Sequence, residues 1–123
     1  MANELTGSFS LSFFKPPYMT QAEGISIANY IGSVAGNVFS RGTLLVGLTA
    51  TAFPLGQVVN PGFCVFVNLD TVNYVSLQNG AGGSEFSRLL QSGPFFGPLG
   101  PAVVPYAVAN TGPCYVQFLI ISI

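Results

Sequence analysis

The sequence predicts an all-β fold, a single-domain, jelly-roll-like β-sandwich of about eight strands spanning residues 1–123. Three observations predict it. The first segment alternates apolar and polar residues with period two. Short apolar runs recur at near-regular spacing with Gly, Pro and Asn between them. The length suits one domain, and no linker, repeat or charge block divides it.

The elements follow in order. Leu5, Gly7, Phe9, Leu11 and Phe13 fall on one side of a strand, and Thr6, Ser8, Ser10 and Ser12 on the other. This is the pattern of one buried and one wet face. Lys15-Pro16-Pro17 ends it, since proline supplies no ladder donor. Thr20 and Glu23 have the spacing of a helical capping box, but Gly24 stops any turn. An irregular loop and a strand through Ile25-Ser26-Ile27 are expected instead.

Thr43–Thr49 reads as an apolar strand and Phe53-Pro54-Leu55-Gly56 as a turn. Phe63–Leu69 is apolar at almost every position, as in a strand covered on both faces. Asp70-Thr71 forms a short turn and Asn73–Leu77 returns, close enough to pair as a hairpin. Asn79-Gly80-Ala81-Gly82-Gly83 suits positive φ, and Phe86–Leu90 is a further strand. Proline and glycine through 94–101 predict an irregular loop carrying Phe95 and Phe96. Tyr106–Ala109, a turn at 110–113 and the long apolar strand Cys114–Ile123 complete the chain.

Charge is the most informative part of the composition. Half of the residues are hydrophobic, and 6% are charged, against about 25% in an ordinary soluble domain. Three basic and four acidic side chains cover only about a tenth of the surface expected for this length. The remainder is glycine, backbone, neutral polar groups and apolar patches, and large apolar patches mark interaction sites. A net charge of −1 gives copies little mutual repulsion. A subunit that lives among copies of itself or on a host surface is therefore expected.

The same numbers exclude other classes. Lys15, Arg41 and Arg88 are scattered, so no basic patch for nucleic acid is expected. Prolines 54 and 61 break one uncharged stretch, and five prolines between 94 and 113 break the other, so no membrane span is expected. Met1-Ala-Asn-Glu-Leu-Thr has neither a basic nor an apolar region, which predicts no signal peptide. Synthesis in a reducing cytosol then favours free thiols at Cys64 and Cys114, with a bridge between neighbouring strands as the alternative.

Chemistry has few candidates. There is no histidine, which removes the commonest general base and metal ligand. No metal site, cofactor or catalytic residue is expected. Asp70 and Glu85 are the one conceivable carboxylate pair, read more simply as a turn former and a solvated loop acid. The 79–83 loop lacks the lysine and helix of a phosphate loop.

The expected contact residues are apolar and lie in loops. Phe95 and Phe96, with Pro98 and Leu99, either fold back over the sandwich or anchor in a neighbouring subunit. Pro16, Pro17 and Tyr18 are a weaker candidate for the same role.

Asn68-Leu69-Asp70-Thr71-Val72-Asn73-Tyr74-Val75, then Leu89-Leu90-Gln91-Ser92-Gly93, then Ala109-Asn110-Thr111 before a final apolar strand, resemble a pattern in small virion structural proteins of tailed bacteriophages. The resemblance spans roughly the last 60 residues. The chain departs from the pattern between Pro94 and Pro105, where those proteins carry a charged, strand-like stretch. The resemblance implies a particle protein made in the host bacterial cytoplasm and located in the virion. The expected role is a capsid decoration (cement) protein, a homotrimer seated on the major capsid protein. A head-fibre, neck, tail or baseplate subunit is the alternative. A carbohydrate-binding jelly roll using Tyr18, Tyr30, Tyr74 and Tyr106 is a third reading, opposed by the lack of Trp.

Overall fold

A computed structural model describes residues 5–17, 20–32, 38–100 and 103–122, with side chains described outside 29–32. The chain forms two compact units, residues 1–35 and 36–123. Every described element is a strand, so no helix among the described residues is long and apolar enough to cross a membrane.

The first unit is an antiparallel hairpin of β1 (Leu5–Phe13) and β2 (Glu23–Gly32). The period-two reading of 5–13 holds, but its expected burial does not. Leu11, Phe13, Phe14, Ile25 and Ile27 are all exposed. Leu11 pairs with Ile25 and Phe9 with Ile27 on one side, and Ser10 with Ser26 on the other. Among the described residues this unit is a two-stranded ribbon, with an apolar side and no second layer to cover it. The Pro16–Pro17 peptide bond is cis.

The second unit is the sandwich. It contains β3 (Phe39–Val46), β4 (Thr51–Ala52), β5 (Pro61–Asn68), β6 (Val75–Asn79), β7 (Glu85–Leu89), β8 (Pro94–Pro98), β9 (Pro105–Ala109) and β10 (Cys114–Ser122). One sheet has the order β3-β10-β5-β8 and the other β4-β9-β6-β7. All pairs are antiparallel. The chain crosses between sheets at every step except β6 to β7, which gives the eight-strand, two-sheet jelly roll. The expected fold class holds. The hairpin adds two strands to the expected count.

The core comes from the inward positions of both sheets. Phe53, on the β4–β5 connection, lies 4.5 Å from Phe66 and 5.6 Å from Phe118 between ring centroids. Leu77, Leu89, Val116 and Ile120 are fully buried around them.

Three local expectations need correction. First, β5 and β6 do not form a hairpin. The turn after Asn68 carries the chain across to the other sheet, where β6 pairs with β7 and β9. Second, residues 94–98 are not an irregular loop but the edge strand β8, paired with β5. Leu99 N donates to Gly62 O and Asn68 N to Gly93 O. By alternation, the backbone at 95 and 97 faces β5, and that at 94, 96 and 98 faces the open edge. Prolines 94 and 98 therefore sit where no ladder donor is needed. Third, β5 is not covered on both faces. Its residues alternate between full and partial burial.

Cys64 and Cys114 are buried free thiols. Cys64 pairs with Ile120 across the sheet, and Cys114 lies six residues away along β10, roughly 20 Å at about 3.3 Å per residue. That separation rules out a bridge within one chain. Burial pushes the Cys64 thiol up to about 12, which makes it inert near neutral pH.

Candidate interaction surface

Strand register decides what each sheet shows to the outside. On the β3-β10-β5-β8 sheet, three rows cross all four strands. They are Phe39–Ile121–Phe63–Pro98, Arg41–Leu119–Val65–Phe96 and Thr43–Gln117–Val67–Pro94. Leu45 and Tyr115 extend the face by a fourth, shorter row. Of these fourteen positions one is charged, Arg41, and it stands on an edge strand. Phe39 is 62% exposed, Tyr115 57%, Leu45 52% and Phe96 44%. An outer sheet face is ordinarily polar. This one has the composition of a core.

The other outer face is the reverse. Its rows are Ala52–Tyr106–Gln78–Glu85 and Val108–Ser76–Arg88. Arg88 Nη2 lies 3.1 Å from Glu85 Oε1, and its guanidinium sits 4.3 Å from the Tyr74 ring centroid. The Ser76 hydroxyl, then the Arg88 charge, hold the Glu85 carboxyl below its usual range. The contrast is between two faces of one unit built from one short sequence.

The expected contact residues separate on this frame. Phe95 points inward, 6.1 Å from Phe66 and 6.0 Å from Phe86 between centroids, and Leu99 is buried. Phe96 and Pro98 point outward within the apolar rows. The pair expected to act together thus has one core member and one surface member. Pro16 and Pro17 are exposed at the tip of the hairpin, and Tyr18 lies outside the described residues. The sequence reading missed Phe39, Leu45, Phe63, Val65, Leu119 and Ile121. Their alternation was visible, but which phase faces out follows only from the sandwich.

A single substitution at each phenylalanine exposes the difference. Phe95→Ser is expected to lower sandwich stability by about 3 kcal/mol, as large-to-small changes in cores do. Phe96→Ser is expected to change it by under ~1 kcal/mol. Urea titration of both variants checks this.

The segments 68–75, 89–93 and 109–111 gather at one end of the sandwich. Asn68 is fully buried. Its Nδ2 donates to Asn73 O (2.8 Å), Leu90 O (3.2 Å) and Leu89 O (3.4 Å), and its Oδ1 accepts from Asp70 N (3.0 Å). Asp70 Oδ1 accepts from the backbone N–H groups of Val72 and Asn73, both at 2.7 Å. Thr111 Oγ1 donates to Asn73 Oδ1. Asn110 Oδ1 accepts from Tyr74 N (3.1 Å), and Gln91 Nε2 donates to Val72 O (2.9 Å). Three turns distant in sequence are tied through side-chain amides into one polar knot. Its work is structural, holding the β5–β6 crossover.

The two backbone donors hold the Asp70 carboxyl below its usual range. A carboxyl depressed in the folded state adds stability that is present above the unfolded value of about 3.9. That stability is lost as pH falls through the depressed folded value. Asp70→Asn keeps the accepting oxygen and removes the titration. It is expected to flatten the acid limb of the stability–pH profile, measured by urea midpoints at descending pH.

Asp70 and Glu85 stand apart. Asp70 O accepts from Ser92 N, just past the Leu89 end of β7, and Glu85 begins that strand four residues before Leu89, roughly 13 Å away at strand rise. No group of three or more His, Cys, Asp or Glu able to hold a metal ion occurs among the described residues. No protein-family model, curated protein or solved structure matches the chain.

Proposed function

We infer that this chain is a structural subunit of a virus particle, a decoration protein of a bacteriophage capsid that stabilises the shell by covering junctions between shell subunits. The observation that supports this reading is the largely apolar outer face of the β3-β10-β5-β8 sheet, with one charge in fourteen positions. Burial of apolar area contributes about 25 cal/mol per Å², so such a face is stable when neighbours cover it and a liability when they do not. Small subunits used in many copies multiply a modest contact into a large one. The jelly roll is itself a recurrent capsid architecture, which raises the reading by analogy of fold alone. The phage pattern adds its own weight, and its residues hold one end of the sandwich together.

Quantitative mass spectrometry of purified particles of the phage that encodes the chain tests the proposal. Many copies per particle, in a ratio set by shell symmetry, are expected. A handful of copies per particle favours the neck, tail or fibre alternative. Absence from particles overturns both.

A further inference from the structure

We propose that Asn79-Gly80 is a latent site of spontaneous deamidation, held shut in the fold by the backbone of Val104 and opened when that contact breaks. This chemistry belongs to the chain itself, whatever the apolar sheet meets.

It begins with the sequence. The dipeptide Asn-Gly occurs once, at 79–80. Glycine leaves its backbone nitrogen unshielded because it has no Cβ. That nitrogen, once its proton is lost to solvent base, attacks Cγ of the preceding asparagine. The N–Cγ bond forms, the Cγ–Nδ2 bond breaks, and Nδ2 leaves as ammonia. Water then opens the resulting cyclic imide at either carbonyl. One opening gives an aspartate at 79. The other gives an isoaspartate, with the main chain rerouted through Cβ. Nothing is oxidised or reduced, and water is the co-reactant. Asn68, Asn73 and Asn110 are followed by Leu69, Tyr74 and Thr111, whose side chains hinder the same approach.

The structure occupies both reacting groups with one residue. Gly80 N donates to Val104 O at 2.8 Å, and Asn79 Oδ1 accepts from Val104 N at 2.9 Å. Ring closure needs the Gly80 proton removed and Cγ swung onto that nitrogen. The first bond holds the proton, and the second holds the side-chain amide. Asn79 is also the last residue of β6, in register with Pro105 of β9. The contact is nevertheless close to solvent, since Asn79 and Val104 are both exposed. Its opening is therefore local and leaves the core packed. Because one residue closes both groups, one opening at 104 frees both.

The far side of the turn gives conversion a consequence. Asn79 N donates to Ser84 O at 3.0 Å and Gly83 N to Gly80 O at 3.2 Å. A Cβ on Gly83 would strike the Asn79 carbonyl. An isoaspartate adds a methylene to the main chain within this tight turn, so a chain converted that way is barred from remaking it. An aspartate keeps the acceptor for Val104 N and leaves the turn possible.

Peptide mapping by mass spectrometry tests the proposal, on the full chain held at mildly alkaline pH in buffer and in unfolding urea. In urea, Asn79 is expected to convert faster than every other asparagine. In buffer its conversion is expected to be slower by roughly tenfold or more, in proportion to the rarity of opening. Equal rates in the two conditions overturn the proposal, as does an unfolded chain in which Asn79 converts no faster than Asn110. Val104→Pro removes the N–H donor at a position that already precedes a proline and is biased to extended backbone. It is expected to speed conversion in buffer with the β-sheet signal retained, and no acceleration in that folded variant overturns the role of Val104. If the variant does not fold, exchange of the wild-type Gly80 amide decides. Conversion is expected to rise in step with that exchange as urea is raised below the unfolding midpoint, and conversion indifferent to it overturns the proposal.

Discussion

Phe66→Ala is expected to destabilise the sandwich by about 4 kcal/mol, the middle of the range for removing a buried aromatic. Phe66 is fully buried on β5, where both sheets contribute to the core. Its ring meets Phe53 at 4.5 Å and Phe95 at 6.1 Å. Phe53 comes from the β4–β5 connection and Phe95 from an edge strand, so neither is free to collapse into the space. In a unit of this size each kcal/mol lowers the thermal midpoint by about 4–8 °C. A drop of roughly 16–32 °C follows, or loss of folding if the starting stability is low. A guanidinium titration with unchanged slope checks that the loss is packing rather than a change in the unfolded chain. Phe96→Ala, the same residue type one register row away on the outer face, is the matched control.

Asn68→Leu is the polar counterpart, expected to cost about 3 kcal/mol despite similar volume. Three carbonyls lose a donor and Asp70 N–H loses its acceptor. Buried polar groups left unpaired cost about 1–3 kcal/mol each, and solvent reaching the turns recovers part of that. Asn68→Asp is a sharper probe. It keeps the acceptor for Asp70 N–H, removes the donor and places a carboxylate at a fully buried site. Both variants are expected to unfold at lower urea, with Asn68→Asp recovering in part as pH falls and its carboxyl protonates. Proton exchange of the hydrogen-bonded Asp70, Val72 and Asn73 amides is expected to be faster in both variants than in the wild type.

How much of this was legible in the sequence depends on whether the signal was local. Alternation in 5–13, turn glycines at 80 and 82, and the apolar run of β10 are local patterns, and each lies where expected. Gly83 is also local: a Cβ there would strike the carbonyl of Asn79, so the turn requires glycine. What covers a face is not local. Leu11 and Phe13 alternate as a buried row does, yet in the two-stranded unit they are exposed. The β5–β6 connection looks like a hairpin because two apolar runs stand a few residues apart. It crosses between sheets because Asn68 turns inward and binds the β7–β8 turn instead.

β8 was hidden by its prolines, which bar a central strand and suit an edge. β4, two residues long, left no pattern to find. The contact surface itself was foreseen only in kind. Low charge announced that an apolar face exists, while register across four strands was needed to assemble Phe39, Ile121 and Phe63 beside Pro98.

Radical footprinting of the full chain, read by mass spectrometry in free protein and in purified particles, tests most directly whether neighbours cover the apolar sheet. Labelling of the exposed Phe39, Leu45 and Tyr115 is expected to be lower in particles than in free protein, while Leu90 and Tyr106, outside that face, label alike in both. Equal labelling of all five in both states, with the β-sheet signal intact, would contradict the account.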